Sequence, residues 1–183
     1  PVSRTFWEQV YAEMAGLQSA AGLTPYLQFG EVQWWYFNND GLGTNYSGMP
    51  YYDAWNQSQF ATEYGHAMAV ITQHTVDPVS YPDEAAYLPA VIGNFTTAIM
   101  NYVKASYSSC RFEVLYPTDV NQTAFNRAVN YPTAAWTPAA LTCLKTESFG
   151  FTLGRNLDKC WETLEFGTAL GFGAEQRAHL VGI

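Results

Sequence analysis

Charged residues are scarce in this sequence. They make up 13% of the 183 residues, whereas average globular proteins contain roughly 25%. Only 8 Lys and Arg stand against 16 Asp and Glu, so the net charge is −8. A protein that binds nucleic acid needs a basic surface to replace the phosphate counterions, and a protein that binds an anionic membrane surface needs one too. The composition therefore argues against both kinds of partner.

Cysteine is also rare, and no pattern typical of a metal or cofactor site is present. Cys110, Cys143 and Cys160 have no CxxC spacing, which argues against a zinc site. Buried free thiols are the favoured state, with one disulfide as the alternative. No GxGxxG motif or P-loop follows a predicted strand, and no GxSxG elbow occurs. We therefore expect no metal and no organic cofactor.

No apolar run reaches the roughly 18 residues that a membrane-spanning helix needs. What the sequence does contain is apolar and aromatic side chains, at 48% and 16% of the residues. This is enough for one domain with a sizeable core. Neutral sugars and other proteins remain as partner classes.

The hydrophobic pattern alternates between helical and strand periods along the whole chain. The predicted strands are Tyr26–Phe37, Ala67–Thr75, Arg111–Tyr116, Leu141–Phe149 and a last one that starts at His179. The predicted helices are Ser3–Ala21, Asp53–Tyr64, Glu84–Tyr107, Gln122–Val129 and Leu157–Gly171. Alternation of this kind predicts an α/β fold with parallel strands. Long polar loops after the strands favour a (β/α)8 barrel over a nucleotide-binding sheet.

Five βα units are too few to close such a barrel. The chain also stops inside a predicted strand, AHLVGI. Residues 1–183 are therefore predicted to form a single partial TIM-barrel domain, the C-terminal part of a barrel, as a segment of a longer chain.

Two acidic residues end predicted strands, and these are the candidate catalytic residues. Glu31 closes YLQFGE, and Glu147 closes LTCLKTE. Burial of a charge costs free energy unless the charge is paired or has a functional role. A glycosidase needs at least two carboxyl groups at its active site. The alternatives are a carboxylate satisfied by neighbouring polar groups for Glu31, and an ion pair with Lys145 or Arg155 for Glu147.

Aromatic and polar side chains surround the predicted strand exits and are the candidate binding residues. Aromatic faces suit the apolar faces of sugar rings, although some of these rings must also belong to the core. The candidate substrate-binding residues are Trp34, Trp35, Tyr36, Tyr52, His74 and Asp119. Asp119 is alternatively a turn or cap residue before the next helix, and Asp53 is expected to cap its helix. His66 and His179 are expected to precede strands and to be structural.

Several of these segments together resemble a known family. The stretch WEQVYAEMAGLQSAAGLTPYLQFGEVQWWYF, the loop GMPYYDAW, the strand RFEVLYPTDVN and the helix RNLDKCWE are similar to the glycoside-hydrolase-like TIM-barrel segment of bacteriophage-tail and prophage proteins. The resemblance implies that Tyr26–Phe37 is the fourth barrel strand and Leu141–Phe149 the seventh. It further implies Glu31 as acid/base and Glu147 as nucleophile. Gly30 stands where such glycosidases usually have Asn.

The resemblance implies a glycosidase-like domain that binds a polysaccharide or cell-surface glycan. It also implies contact with other parts of the same or a neighbouring tail protein, in a virion or extracellular particle. The alternative is a non-catalytic structural or assembly domain that keeps the barrel as a scaffold.

Overall fold

The computed structural model of the chain describes residues 2–34, 51–71 and 75–180. The helices are α1 (Val2–Ala20), α2 (Ala54–Tyr64), α3 (Pro82–Ser106), α4 (Ala124–Asn130), α5 (Phe149–Leu153) and α6 (Leu157–Ala169). The strands are β1 (Tyr26–Gly30), β2 (Arg111–Pro117), β3 (Cys143–Glu147) and β4 (Arg177–Leu180). Single 3-10 turns lie at Pro78–Ser80 and Ala174–Gln176. The sequence predicted one helix between successive strands, whereas the described residues have α2 and α3 between β1 and β2, and α5 and α6 between β3 and β4.

The chain divides into two compact units. The first unit consists of Pro1–Glu31, Gly93–Val120 and Thr133–Ile183 and contains all four strands. The second unit consists of Val32–Ile92 and Asn121–Pro132 and contains α2, α4 and the first part of α3.

The first unit is built on a parallel sheet with the strand order β1-β2-β3-β4. Leu27 pairs with Phe112, and Val114 pairs with Leu144, each in parallel register. Successive side chains of a strand point to opposite faces. The register therefore divides the sheet into an apolar face and a polar face.

Helices cover the apolar face of the sheet. Tyr11 of α1 stacks on Phe29 with ring centroids 5.0 Å apart, and Phe29 in turn stacks on Phe112 at 5.6 Å. Phe166 of α6 stacks on Tyr116 at 5.1 Å. These rings are the centre of the core of the first unit.

The polar face carries a network of charged and polar side chains. The Lys145 ammonium lies 2.5 Å from Glu113 Oε1 and donates to Gln28 Oε1 at 2.9 Å. The Tyr26 hydroxyl also interacts with Glu113. Gln28, Glu113 and Lys145 thus lie on three neighbouring strands, and their contacts satisfy both charges. The Lys145 and Glu113 side chains are only 22% and 11% exposed.

The second unit has its own apolar core. Its fully buried aromatic members are Tyr51, Phe60 and Phe125, and the cluster also includes Met68, Ile71, Tyr87, Leu88 and Val129. Asp53 caps α2 as expected, because its side chain accepts from Trp55 N at 2.9 Å and Asn56 N at 3.1 Å. Gly65 ends α2 with φ of +76°, a backbone conformation that favours glycine.

The structure confirms the α/β class with parallel strands and corrects two predicted strands. The strand predicted over Tyr26–Phe37 ends at Gly30. Residues 67–71 of the predicted strand Ala67–Thr75 form no strand, because side chains satisfy their backbone groups. Ala69 N donates to Glu84 Oε1 at 2.7 Å, and Ile71 N donates to the Tyr52 hydroxyl. The described sheet thus has four strands where five were expected.

Among the described residues, none of the helices combines the length with the apolar run that crossing a bilayer would require.

Candidate functional site

The carboxyl ends of three neighbouring parallel strands bring the candidate acidic residues to one edge of the sheet. Gly30 pairs with Leu115, and Pro117 pairs with Glu147. Glu31 directly follows β1, Asp119 lies two residues beyond β2, and Glu147 ends β3. We call this place the carboxyl edge. Parallel α/β sheets bind their ligands outside the carboxyl ends of their strands.

Glu31 has an unusual backbone conformation at this edge. It is exposed and has φ of +50°, in the left-handed region. Among the described residues, only Arg155 shares a positive φ without being glycine. This conformation costs an L-residue about 1 kcal/mol or more. Strain of this kind concentrates at functional sites, and glycine would remove it.

Hydrogen bonds from the loop after β2 fix the backbone at Glu147. The Glu147 carbonyl accepts from Thr118 N and from Thr118 Oγ1, both at 2.8 Å. Thr118 Oγ1 also lies 2.8 Å from the hydroxyl of Thr163, which is buried on α6. The position of Glu147 is therefore tied to both the sheet and the helix layer.

Asp119 connects the loops after β2 and β3. Its Oδ2 accepts from Gly150 N, in the first turn of α5, at 2.7 Å. The sequence left a turn residue or a cap of the following helix as the alternative role of Asp119, and the residue does lie in a turn over 118–120. That helix, α4, is instead capped by Thr123, whose Oγ1 accepts from Asn126 N at 3.2 Å. Asp119 thus holds the chain that leads away from Glu147.

The three carboxylates at the carboxyl edge interact electrostatically. Burial raises the pKa of Glu147, and the neighbouring charges of Glu31 and Asp119 raise it further. A negative charge on Glu147 is disfavoured by like charges close by. Glu147 therefore keeps its proton to a higher pH than an ordinary carboxyl group, as a general acid must.

His179 forms a separate polar cluster on the helix-covered face of the sheet, because it pairs with Thr146 in register and thus points away from the face of Glu147. His179 Nε2 lies 3.2 Å from Ser148 Oγ, and His179 Nδ1 lies 3.0 Å from Thr146 Oγ1. Burial lowers the pKa of His179, which favours the neutral form of the ring. The last predicted strand starts at His179, and the structure places this residue in a strand, within β4. Its contacts come from β3, across the sheet, and no local pattern could have revealed them.

Trp34 and Tyr52 are both part of the packing of the second unit. Trp34 Nε1 donates to Leu88 O at 3.0 Å, and Trp34 N donates to Asn130 Oδ1 at 2.6 Å. The Tyr52 hydroxyl lies 3.1 Å from Ala69 O, and both side chains pack against the core cluster. Their polar atoms are thus engaged within the protein.

Three other candidate binding residues, Trp35, Tyr36 and His74, lie outside the described residues.

The three cysteines are free thiols. Within residues 2–34, 51–71 and 75–180, no three or more His, Cys, Asp and Glu side chains are grouped to hold a metal ion.

Comparisons of the chain with protein-family models, with curated proteins and with solved structures yield no match. The carboxyl edge is therefore the feature from which a function can be proposed.

Proposed function

We propose that the carboxyl edge binds a polysaccharide or cell-surface glycan and that Glu31 and Glu147 act there as a glycosidase-like carboxylate pair. The raised pKa of Glu147 beside Glu31 and Asp119 carries this proposal. When two neighbouring carboxyl groups have different environments, one can stay protonated and act as the acid while the other is ionised and acts as the base or nucleophile. In keeping with the sequence resemblance, the setting is the tail of a phage-like particle.

The direction of the pKa shift gives Glu147 the role of proton donor. In hydrolysis, Glu147 would transfer its proton to the glycosidic oxygen as the bond from that oxygen to the anomeric carbon breaks. The Glu31 carboxylate would stabilise the positive charge that develops on the sugar, and a water molecule would then add to the anomeric carbon and return a proton to Glu147. This reverses the order of roles implied by the resemblance, in which Glu31 was the acid/base.

A second candidate function is a non-catalytic assembly domain of a tail protein. The observation that favours it is the engagement of Trp34 and Tyr52 in the second unit, which removes two of the expected sugar-stacking surfaces. Such a domain would keep the fold without turning over a glycan.

The test uses two glycine variants with a matched backbone change. Glu31→Gly and Arg155→Gly each remove a non-glycine residue with positive φ, +50° and +52° respectively. Each should leave stability unchanged or raise it by up to about 1 kcal/mol. Only Glu31→Gly should abolish binding in a panel of bacterial polysaccharides. Equal binding by both variants would refute a role for Glu31.

Glu147→Gln separates binding from hydrolysis. The amide has the shape of the protonated acid but no proton to transfer, so this variant should bind the glycan and release no new reducing ends. New reducing ends with the wild type alone would establish hydrolysis. Binding without reducing ends in either protein would favour recognition alone. If the wild type binds no polysaccharide, the assembly function is the better conclusion.

A further inference from the structure

Ser148 stands at the position that caps helix α5, but its hydroxyl has a different partner. A serine directly before a helix usually accepts a hydrogen bond from the first turn. The Ser148 side chain makes no such bond, and Asp119 accepts from Gly150 N in its place. Ser148 Oγ instead lies 3.2 Å from His179 Nε2 of β4. The hydroxyl therefore connects the chain after β3 to the neighbouring strand.

The hydroxyl groups around His179 decide which ring nitrogen carries the hydrogen. Thr146 Oγ1 donates its one hydrogen to Ala178 O at 3.4 Å, so it can only accept from His179 Nδ1, which lies 3.0 Å away. Nδ1 therefore carries the hydrogen of the neutral ring. Nε2 presents its lone pair and accepts from the Ser148 hydroxyl.

A second proton on His179 conflicts with this arrangement. Both nitrogens of a protonated imidazole are donors, so Nε2 would direct an N–H towards the hydrogen that Ser148 donates. Ser148 is fully buried, and among the described residues its Oγ has no hydrogen-bond partner besides His179. The hydroxyl would have to turn and leave its own hydrogen without an acceptor, which costs free energy in a buried place.

The charged groups beside His179 do not offset this conflict. Among the described residues, Glu165 of α6 and Arg177 of β4 are the charged groups that line the groove next to the ring. Arg177 Nε donates to Gly173 O at 3.3 Å. Burial lowers the pKa of His179, and neither charge contributes to that shift. The direction of the shift therefore agrees with the hydrogen-bond geometry, since both favour the neutral ring.

We propose that His179 is a pH-sensitive contact that holds the junction between β3 and α5. The neutral ring binds the Ser148 hydroxyl and thereby fixes the residue that follows Glu147 at the carboxyl edge. When Nε2 takes up a proton from solvent, the hydrogen bond from Ser148 to Nε2 is lost and the first turn of α5 opens more often. This proposal concerns the junction itself and does not depend on glycan binding.

The position of the hydrogen on the His179 ring is the first test. A long-range proton–nitrogen NMR spectrum of the wild type with labelled imidazole nitrogens, at about pH 7.5, should show Nδ1 protonated and Nε2 without a hydrogen. A hydrogen on Nε2 would overturn the proposal, because that nitrogen could then not accept from Ser148.

Ser148→Ala removes the hydroxyl that favours the neutral ring. The pKa of His179 should rise by about half a pH unit or more in this variant, as followed by NMR titration of the ring. Thr152→Ala is the matched control. Its hydroxyl donates to Ser148 O at 3.1 Å, so this change removes a hydroxyl from the same junction but leaves both hydroxyl partners of the ring. Equal pKa values of His179 in the two variants would overturn the proposal.

Hydrogen exchange tests whether the junction opens. Thr152 N donates to Ser148 O at 3.0 Å, so its amide reports on the first turn of α5. Between about pH 7.5 and about pH 5, the protection of this amide, corrected for intrinsic exchange, should fall about threefold or more in the wild type. His179→Gln stays neutral and should show no such fall. Glu147 titrates in both proteins, so the comparison removes its effect. The same pH dependence in both proteins would overturn the proposal.

Discussion

Glu31 and Glu147 are held at the carboxyl edge by different means. Glu31 relies on an unfavourable backbone conformation, with φ of +50°. The main chain of Glu147 is fixed by two hydrogen bonds from Thr118, and its carboxyl group is destabilised as an anion by burial and by neighbouring charges. At the scale of single residues, both positions sacrifice some stability, as functional positions commonly do.

The raised pKa of Glu147 should depend on the charges of its neighbours. Glu31→Gln removes one of the like charges that raise the pKa of Glu147, so that pKa should fall when followed by NMR titration of the side-chain carboxyl. Glu13→Gln, at an exposed position of α1, should leave it unchanged. A pKa of Glu147 that does not respond to Glu31→Gln would show that these two side chains are not close.

The same shift predicts how stability depends on pH. Because the pKa of Glu147 is raised in the folded state, its stabilising contribution is full below the ordinary carboxyl pKa and is lost as the pH rises through the raised value. Glu147→Gln stays neutral throughout. Urea unfolding of both proteins from about pH 4 to about pH 7 should therefore show the wild type losing stability relative to the variant as the pH rises. A difference in the free energy of unfolding between the two proteins that stays constant over this pH range would contradict the raised pKa of Glu147.

At the scale of elements, side chains complete what the backbone leaves unsatisfied. Asp53 caps α2, Asp119 accepts from the first turn of α5, and Glu84 bonds the backbone of residue 69. The sheet itself carries the Glu113–Lys145 pair on its polar face. Elements are thus stabilised by a few specific polar contacts in addition to aromatic packing.

Removal of the α2 cap should cost stability. Asp53→Ala leaves the first backbone N–H groups of α2 without their acceptor, and we expect a loss of about 1 kcal/mol in the free energy of unfolding. Asp53→Ser keeps an acceptor and should recover most of that loss. Chemical denaturation measures both; equal losses would mean that the cap hydrogen bonds contribute nothing.

The Glu113–Lys145 pair should behave as a unit. Lys145→Met leaves the largely buried Glu113 charge without its cation, and we expect a loss of about 3 kcal/mol. The double variant Glu113→Leu/Lys145→Met removes both charges and should be less destabilised than Lys145→Met alone. Urea denaturation of the wild type, both single variants and the double variant completes the cycle, and strictly additive losses would refute the coupling.

At the scale of the whole molecule, the chain divides into two compact units that each bury aromatic rings. Phe29 and Phe112 are fully buried in the first unit, and Tyr51 and Phe60 are fully buried in the second. Removal of a buried ring leaves a cavity, so Phe29→Ala and Phe60→Ala should each lower the free energy of unfolding by about 3 kcal/mol or more. Urea denaturation measures both losses, and a loss below about 1 kcal/mol for either variant would contradict a core role of that ring.

The sequence by itself determined most of the helices and strands, the parallel α/β class and the cap at Asp53, because these depend on local periodicity and on contacts between near neighbours. It also placed Glu31, Asp119 and Glu147 after strands. Only the tertiary structure revealed that the pKa of Glu147 is raised, because the shift arises from burial and from charges after separate strands. The same holds for His179, whose partners Thr146 and Ser148 are more than thirty residues away. The strand predicted over residues 67–71 is absent for the same reason. Glu84 and Tyr52, which are distant in sequence, accept hydrogen bonds from the backbone N–H groups of residues 69 and 71 in place of a neighbouring strand.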